Sequence, residues 1–293
     1  MFTGTYTAIV TPFRKNGEID EASLDALVKA QVKGKVDGVV PVGTTGESPT
    51  LSFDEHKRVV ELTVRAANGR IKVMAGTGAN STEEAIELTK SAEACGADGS
   101  LQVCPYYNKP TQEGLYQHFS SIARSTRLPI VLYSIPGRSV ISIAVDTVAR
   151  LAKDCKNIVG IKEAGGDADR VSQLRQALGT NFSILSGDDA LTLPFMSVGA
   201  DGVISVASNI IPAEIARMVK AANSGKFTAA KELHFRYYPL FKDLFIETSP
   251  GPIKAAMAMT RQVGENYRLP MTRIDKGNRA QLRKTLKSCG ILK

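Results

Sequence analysis

Cysteine and histidine are both scarce in this 293-residue chain, with four of the first and three of the second. Cys95, Cys104, Cys155 and Cys289 lie far apart and form no Cys-x-x-Cys pair. That spacing suits neither a disulfide framework nor a zinc site, and it fits a reducing compartment, so a cytoplasmic location is expected. Cys95 and Cys104 read as small apolar packing residues. His56, His118 and His234 are isolated, which disfavours a metal held by a histidine and carboxylate cluster. No apolar run approaches the ~18 residues that a spanning helix needs. The start, Met1-Phe2-Thr3-Gly4-Thr5, has neither the basic residues nor the apolar core of a secretion signal, so no membrane association is expected. Nucleic-acid signals are missing too: there is no basic block interleaved with aromatics, no zinc-finger spacing and no phosphate loop. The net charge of +8, from 37 basic and 29 acidic residues, is scattered along the chain. It reads as general solubility and is compatible with small acidic substrates. At 43% hydrophobic and 23% charged, the composition excludes disorder, collagen and coiled coil.

What is present is a rhythm. Short apolar runs occur at Tyr6–Val10, Gly38–Val42, Ile71–Ala75, Ser100–Cys104, Ile130–Tyr133, Ile158–Ile161, Phe182–Leu185 and Gly202–Val206. They recur at intervals of roughly 20–35 residues, the length of a strand plus a crossover helix. Continuous rather than alternating hydrophobicity predicts parallel strands covered on both faces. Pro41 lacks a backbone donor and belongs near the end of its strand. Between the strands, helical spacing predicts helices over Glu21–Gly34, Ser52–Asn68, Glu83–Cys95, Gln112–Ser125, Ala144–Cys155, Asp169–Leu178 and Asp189–Ser197. Asp20, and Ser81 or Thr82, stand at N-cap positions. Eight βα units in series predict a (β/α)8 TIM barrel. The first βα turn, Thr11-Pro12-Phe13-Arg14, has no glycine-rich dinucleotide fingerprint, which weakens an open doubly wound sheet. After Val206 the pattern is helical only, including Pro212–Ser224, Thr228–Ile246 and Pro252–Val263. A catalytic barrel over 1–224 and a C-terminal helical appendage over 225–293 are therefore expected.

In such a barrel, sites form at the carboxy-terminal ends of the strands. Strand two ends in Gly43-Thr44-Thr45-Gly46-Glu47-Ser48, whose glycines, hydroxyls and amides suit a small carboxylate. A capped turn accounts for the same residues. Strand five ends at Tyr133, which could equally close the core. Strand six ends in Gly160-Ile161-Lys162-Glu163. A lysine ending a buried apolar strand must pair with a carboxylate or lose its proton, and a neutral lysine is a nucleophile toward ketones and aldehydes. Lys72 begins its strand and Lys109 lies in a loop, so neither competes. Imine-forming aldol chemistry at Lys162 becomes the leading expectation.

Four ordered motifs carry a resemblance. They are Gly43–Ser48, Pro105-Tyr106-Tyr107-Asn108-Lys109-Pro110-Thr111-Gln112-Glu113-Gly114, Tyr133–Arg138 and Gly160-Ile161-Lys162-Glu163-Ala164. Together they resemble the 4-hydroxy-tetrahydrodipicolinate synthases, formerly dihydrodipicolinate synthases, of the pyruvate-dependent class I aldolase and N-acetylneuraminate lyase superfamily. The likeness runs end to end, through Leu185–Asp189, Gly202–Val206 and Leu269–Thr272. It implies condensation of pyruvate with L-aspartate-4-semialdehyde in diaminopimelate and lysine biosynthesis, with no cofactor beyond the covalent pyruvate imine on Lys162. By the same resemblance, Tyr133 carries protons through a relay of Thr44 and Tyr107. Thr45, Gly187 and Ile204 bind substrate, and Arg138 holds the semialdehyde carboxylate. Tyr107 reaches a neighbouring subunit's site, which implies a homo-oligomer built as a dimer of dimers. The positions matching the family's regulatory L-lysine pocket are Ser48, His56, Asn80, Glu84 and Tyr106. A related sugar-acid lyase and a non-catalytic barrel binding protein are the alternatives. Arg138 and the Tyr-Tyr-Asn-Lys-Pro loop favour the synthase over the first, and the intact Lys162, Tyr133 and Thr44 set disfavours the second.

Overall fold

The computed structural model describes residues 1–293. The elements are, in chain order, β1 (Gly4–Ala8), α1 (Glu21–Lys33), β2 (Gly38–Val40), α2 (Phe53–Ala67), β3 (Lys72–Gly76), α3 (Thr82–Ala94) and β4 (Gly99–Val103). Then come α4 (Gln112–Arg124), β5 (Ile130–Ser134), α5 (Pro136–Ser139), α6 (Val145–Asp154), β6 (Ile158–Glu163), α7 (Ala168–Leu178) and β7 (Ser183–Ser186). The chain ends with α8 (Thr192–Ser197), β8 (Gly202–Ser205), α9 (Pro212–Asn223), α10 (Phe227–Asp243), α11 (Gly251–Met259) and α12 (Lys276–Ser288). The eight strands are all parallel and close in sequence order, β8 pairing with β1, into a TIM barrel. None of the helices is long and apolar enough to cross a membrane.

Local chemistry sets the boundaries. Asp20 accepts the Ser23 N–H and starts α1. Ser52 and Glu55 exchange hydrogen bonds in a complete capping box at α2, and Ser81 and Thr111 cap α3 and α4. β2 is shorter than its apolar run, because Pro41 has no N–H and Val42 turns to φ 50°. β6 is longer than expected and includes both Lys162 and Glu163. α8 starts at Thr192 and not Asp189, whose carboxylate is spent on Ser205 at the end of β8 and on the two N–H groups that follow it. The short α5 lies outside the expected helices, while α12 completes the helical stretch expected after Val206. The seam where the barrel closes depends on glycine: a Cβ on Gly202 would stand 1.9 Å from the Gly4 carbonyl oxygen.

Inside the barrel a cluster of ten buried side chains includes Tyr6, Met74, Leu101, Val131, Leu185 and Ile204. A larger core of 62 residues lies between the strands and their helices. Leu240, Ile253 and Leu282 of α10, α11 and α12 join that same core, so the C-terminal helices pack as part of the barrel's own hydrophobic shell.

Candidate active site

β5 and β6 pair so that Tyr133 stands directly beside Lys162, and Lys162 in turn pairs with Leu185 of β7. Alternation along β6 sends Lys162 inward and its neighbour Glu163 to the other face. Glu163 is fully buried, accepting from Arg170 Nε at 2.7 Å and from the Gly165 N–H at 2.6 Å. The carboxylate adjacent in sequence is thereby taken, and Lys162 itself forms no ion pair. Its Nζ lies 4.1 Å from the centroid of the Tyr133 ring. With only 7% of the residue exposed, burial lowers the ammonium pKa from 10.5 to about 7. Arg138 pushes the same way, while Asp189 opposes it. Burial therefore favours the free, nucleophilic amine far more than water would.

Tyr133 is buried as well, and burial raises its pKa, so the phenol keeps its proton at neutral pH and can donate it. Across the cavity, Thr44–Gly46 form one 3-10 turn. Gly46 and Ser48 both donate to the Gly43 carbonyl, whereas the Thr44 and Thr45 N–H groups have no protein acceptor. Those two amides and the Thr44 hydroxyl are ready for an anion.

Gly187 is explained by space. Its N–H donates to the Glu163 carbonyl at 2.8 Å, which lays the backbone against Lys162. A Cβ at this position would meet Lys162 Cε at 2.9 Å and Ala164 Cβ at 2.7 Å. Arg138, in α5, is exposed at the mouth, and its Nη2 lies 3.4 Å from the Ser249 carbonyl. Thr44, Thr45, Tyr133, Arg138, Lys162 and Gly187 all line one cavity of about 290 Å³.

The other expected positions divide. Ser48, Glu84 and Tyr106 line the same cavity, with Glu84 close enough to help burial raise the Tyr106 pKa. His56 and Asn80 do not line it. His56 is buried, and its Nε2 donates to the Gly76 carbonyl at 2.9 Å. The Asn80 amide donates to the Tyr106 carbonyl, bracing the loop that carries that residue. Ile204 is 1% exposed and packs beneath the cavity with Ala8, Tyr133 and Leu185. Tyr107 does not line this cavity: it is 89% exposed, at φ 72°.

Sequence reasoning missed three contributors. Asp189 is buried, with its carboxylate accepting from the Ser205 hydroxyl and the Val206 and Ala207 N–H groups. Burial raises its pKa to about 6, and its charge acts on Lys162. An acid just beyond the end of strand seven was the available signal. Phe245 and Ser249 also line the cavity, from the segment between α10 and α11. Nothing local in the sequence marks them, since the chain returns to the site only through packing of the C-terminal helices.

Comparison with known proteins extends over the whole barrel. The 4-hydroxy-tetrahydrodipicolinate synthase of Methylacidiphilum fumariolicum SolV is 56% identical, with a TM-score of 0.98 over 99% of this chain and 96% of that one. A dihydrodipicolinate synthase from Acinetobacter baumannii, solved in complex with pyruvate, is 45% identical, with a TM-score of 0.97 over 100% of both chains. The enzyme from Cyanidioschyzon merolae, solved with lysine bound, is 42% identical, with a TM-score of 0.97 over 99% of both chains. A sequence model of the dihydrodipicolinate synthetase family matches residues 1–289. With that match spanning the barrel and the helices beyond it, the chain belongs to the dihydrodipicolinate synthetase family.

Proposed function

We propose that this chain is a 4-hydroxy-tetrahydrodipicolinate synthase, condensing pyruvate with L-aspartate-4-semialdehyde through a Schiff base on Lys162. The observation that carries the reading is a buried, unpaired lysine amine against the Tyr133 ring, its pKa lowered by burial, in one cavity with two unpaired amides. The Thr44 and Thr45 amides receive the pyruvate carboxylate, with Gly187 and Ile204 shaping the floor. The Lys162 amine attacks the ketone carbon, Tyr133 delivers a proton to the departing oxygen, and water leaves as the imine forms. The protonated imine is an electron sink, so loss of a methyl proton gives an enamine. Its carbon attacks the semialdehyde carbonyl, whose carboxylate Arg138 holds by a planar two-pronged contact. The substrate amino group then attacks the imine carbon, which expels Lys162 and closes the ring.

Tyr133 passes protons through Thr44 and Tyr107, an acid–base contribution typically worth about 10²–10⁴-fold. The exposed Tyr107 supports a relay completed by a second copy of the chain, within a dimer of dimers. Ser48, Glu84 and Tyr106, backed by His56 and Asn80, form the L-lysine site in this reading. Residues 1–224 form the catalytic barrel and residues 225–293 the helical unit that covers one side of it.

Treatment with pyruvate and borohydride tests the proposal. A reduced pyruvyl mass on the peptide containing Lys162, together with pyruvate consumption dependent on the semialdehyde, is expected. Labelling at another lysine, or full activity in Lys162→Ala, would overturn it. Pyruvate release from sugar acids with indifference to the semialdehyde would favour a lyase.

A further inference from the structure

We infer that the C-terminal helical unit sets the geometry of the pyruvate-carboxylate loop through a buried ion pair, with Lys254 as the positioning residue. The inference rests on the assignment of Thr44 and Thr45 to the pyruvate carboxylate. The turn that holds them ends at Glu47, which adopts φ 56°, a left-handed conformation that favours glycine. Something outside the turn must hold a glutamate there.

Glu47 is 2% exposed, and its carboxylate pairs with the ammonium of Lys254, a residue with no exposed surface. Lys254 also donates to the Asn266 carbonyl at 3.0 Å and has aromatic faces on two sides. Its Nζ lies 4.3 Å from the Phe13 ring centroid and 5.4 Å from that of Tyr267. The second Glu47 oxygen accepts the Arg268 N–H at 3.3 Å. Lys254 lies near the start of α11, where the helix dipole disfavours a cation, so the helix itself gains nothing from it. A dry ion pair is also a weak source of net stability compared with apolar packing. Its use here is directional.

The rest of the strap agrees. Arg268 donates to both oxygens of Glu55, to the Thr50 carbonyl and to the Gly17 carbonyl. Its guanidinium also lies 4.5 Å from the Phe13 ring centroid. The Asn266 side chain donates to the Phe13 carbonyl at 2.8 Å. Residues 266–268 thus fasten the segment after β2 at two points, Glu47 next to the amides and Thr50 to Glu55 at the start of α2. They fasten the loop after β1 as well. The position of the two free amides is decided by chain more than 200 residues downstream.

Pyruvate dependence in full-length variants tests this. Lys254→Met is expected to raise the KM for pyruvate about tenfold or more, equivalent to at least about 1.4 kcal/mol, with a far smaller change in kcat. Glu47→Gln combined with Lys254→Met removes both buried charges and serves where the single variant does not fold. It is expected to recover thermal stability while the pyruvate KM stays high. Two results overturn the inference: a pyruvate KM that returns to the unaltered value along with stability, and a KM unchanged in either variant. Unaltered enzyme that traps no pyruvate on Lys162 would overturn the functional reading beneath it as well, whereas normal trapping with unchanged KM overturns this inference alone.

Discussion

Replacing Lys162 by methionine should make the protein more stable, and by an amount that depends on pH. The folded protein lowers the lysine pKa from 10.5 to about 7, chiefly by burial. Between those values the unfolded chain binds more protons at this residue than the native state does, so the wild-type protein gains stability as pH rises through that window. Each pKa step is worth about 1.36 kcal/mol, so the penalty carried by Lys162 is several kcal/mol at pH 7.5 and on the order of 1 kcal/mol at pH 9.5. Both conditions lie above the value of about 6 for Asp189, which stays ionised throughout. Methionine keeps an apolar stem of similar length beside Tyr133 and removes the charge. Urea unfolding of both proteins at the two pH values reads the effect. The expected result is a Lys162→Met advantage that shrinks by about 2–3 kcal/mol between pH 7.5 and 9.5. An advantage absent at pH 7.5, or equal at both, would refute the view that a desolvated amine is held here at the cost of stability.

Gly187→Ala places a methyl within 2.9 Å of Lys162 Cε, at a residue whose φ is not left-handed, so the clash acts alone. It should cost about 1–3 kcal/mol of stability and, by shifting the amine, slow borohydride trapping of pyruvate by up to about a hundredfold; an unchanged trapping rate would discard the spatial argument. Asp189→Asn removes a charge that raises the Lys162 pKa, so the midpoint of trapping rate against pH should move lower than in the unaltered enzyme. A midpoint that stays or rises contradicts that coupling. Arg138→Ala should raise the KM for the semialdehyde while pyruvate trapping persists, and unchanged semialdehyde kinetics would remove Arg138 from that role. L-lysine should inhibit initial rates measured with both substrates near half-saturation, and no inhibition up to millimolar lysine would dismiss the Ser48, Glu84 and Tyr106 site.

Much of this architecture is written locally. Continuous apolar runs define the strands, and Asp20, Ser52 and Ser81 mark helix starts by satisfying free N–H groups within three residues. Lys162 is legible for the same reason: a charge at the end of a buried run is anomalous whatever surrounds it. Partner choice is not local. Lys162 and Glu163 are equal candidates for an ion pair in the sequence, and only the register of β5, β6 and β7 turns one toward Tyr133 and the other toward Arg170. Asp189 reads as a helix start until β8 closes beside it and offers two N–H groups and a hydroxyl. Glu47 and Lys254 are 207 residues apart, and no periodicity links them. Apolar patterning reports which residues leave water, a property each side chain carries with it. Which buried charge meets which depends on distances of a few ångströms that exist only once the barrel has closed and the C-terminal helices have packed against it.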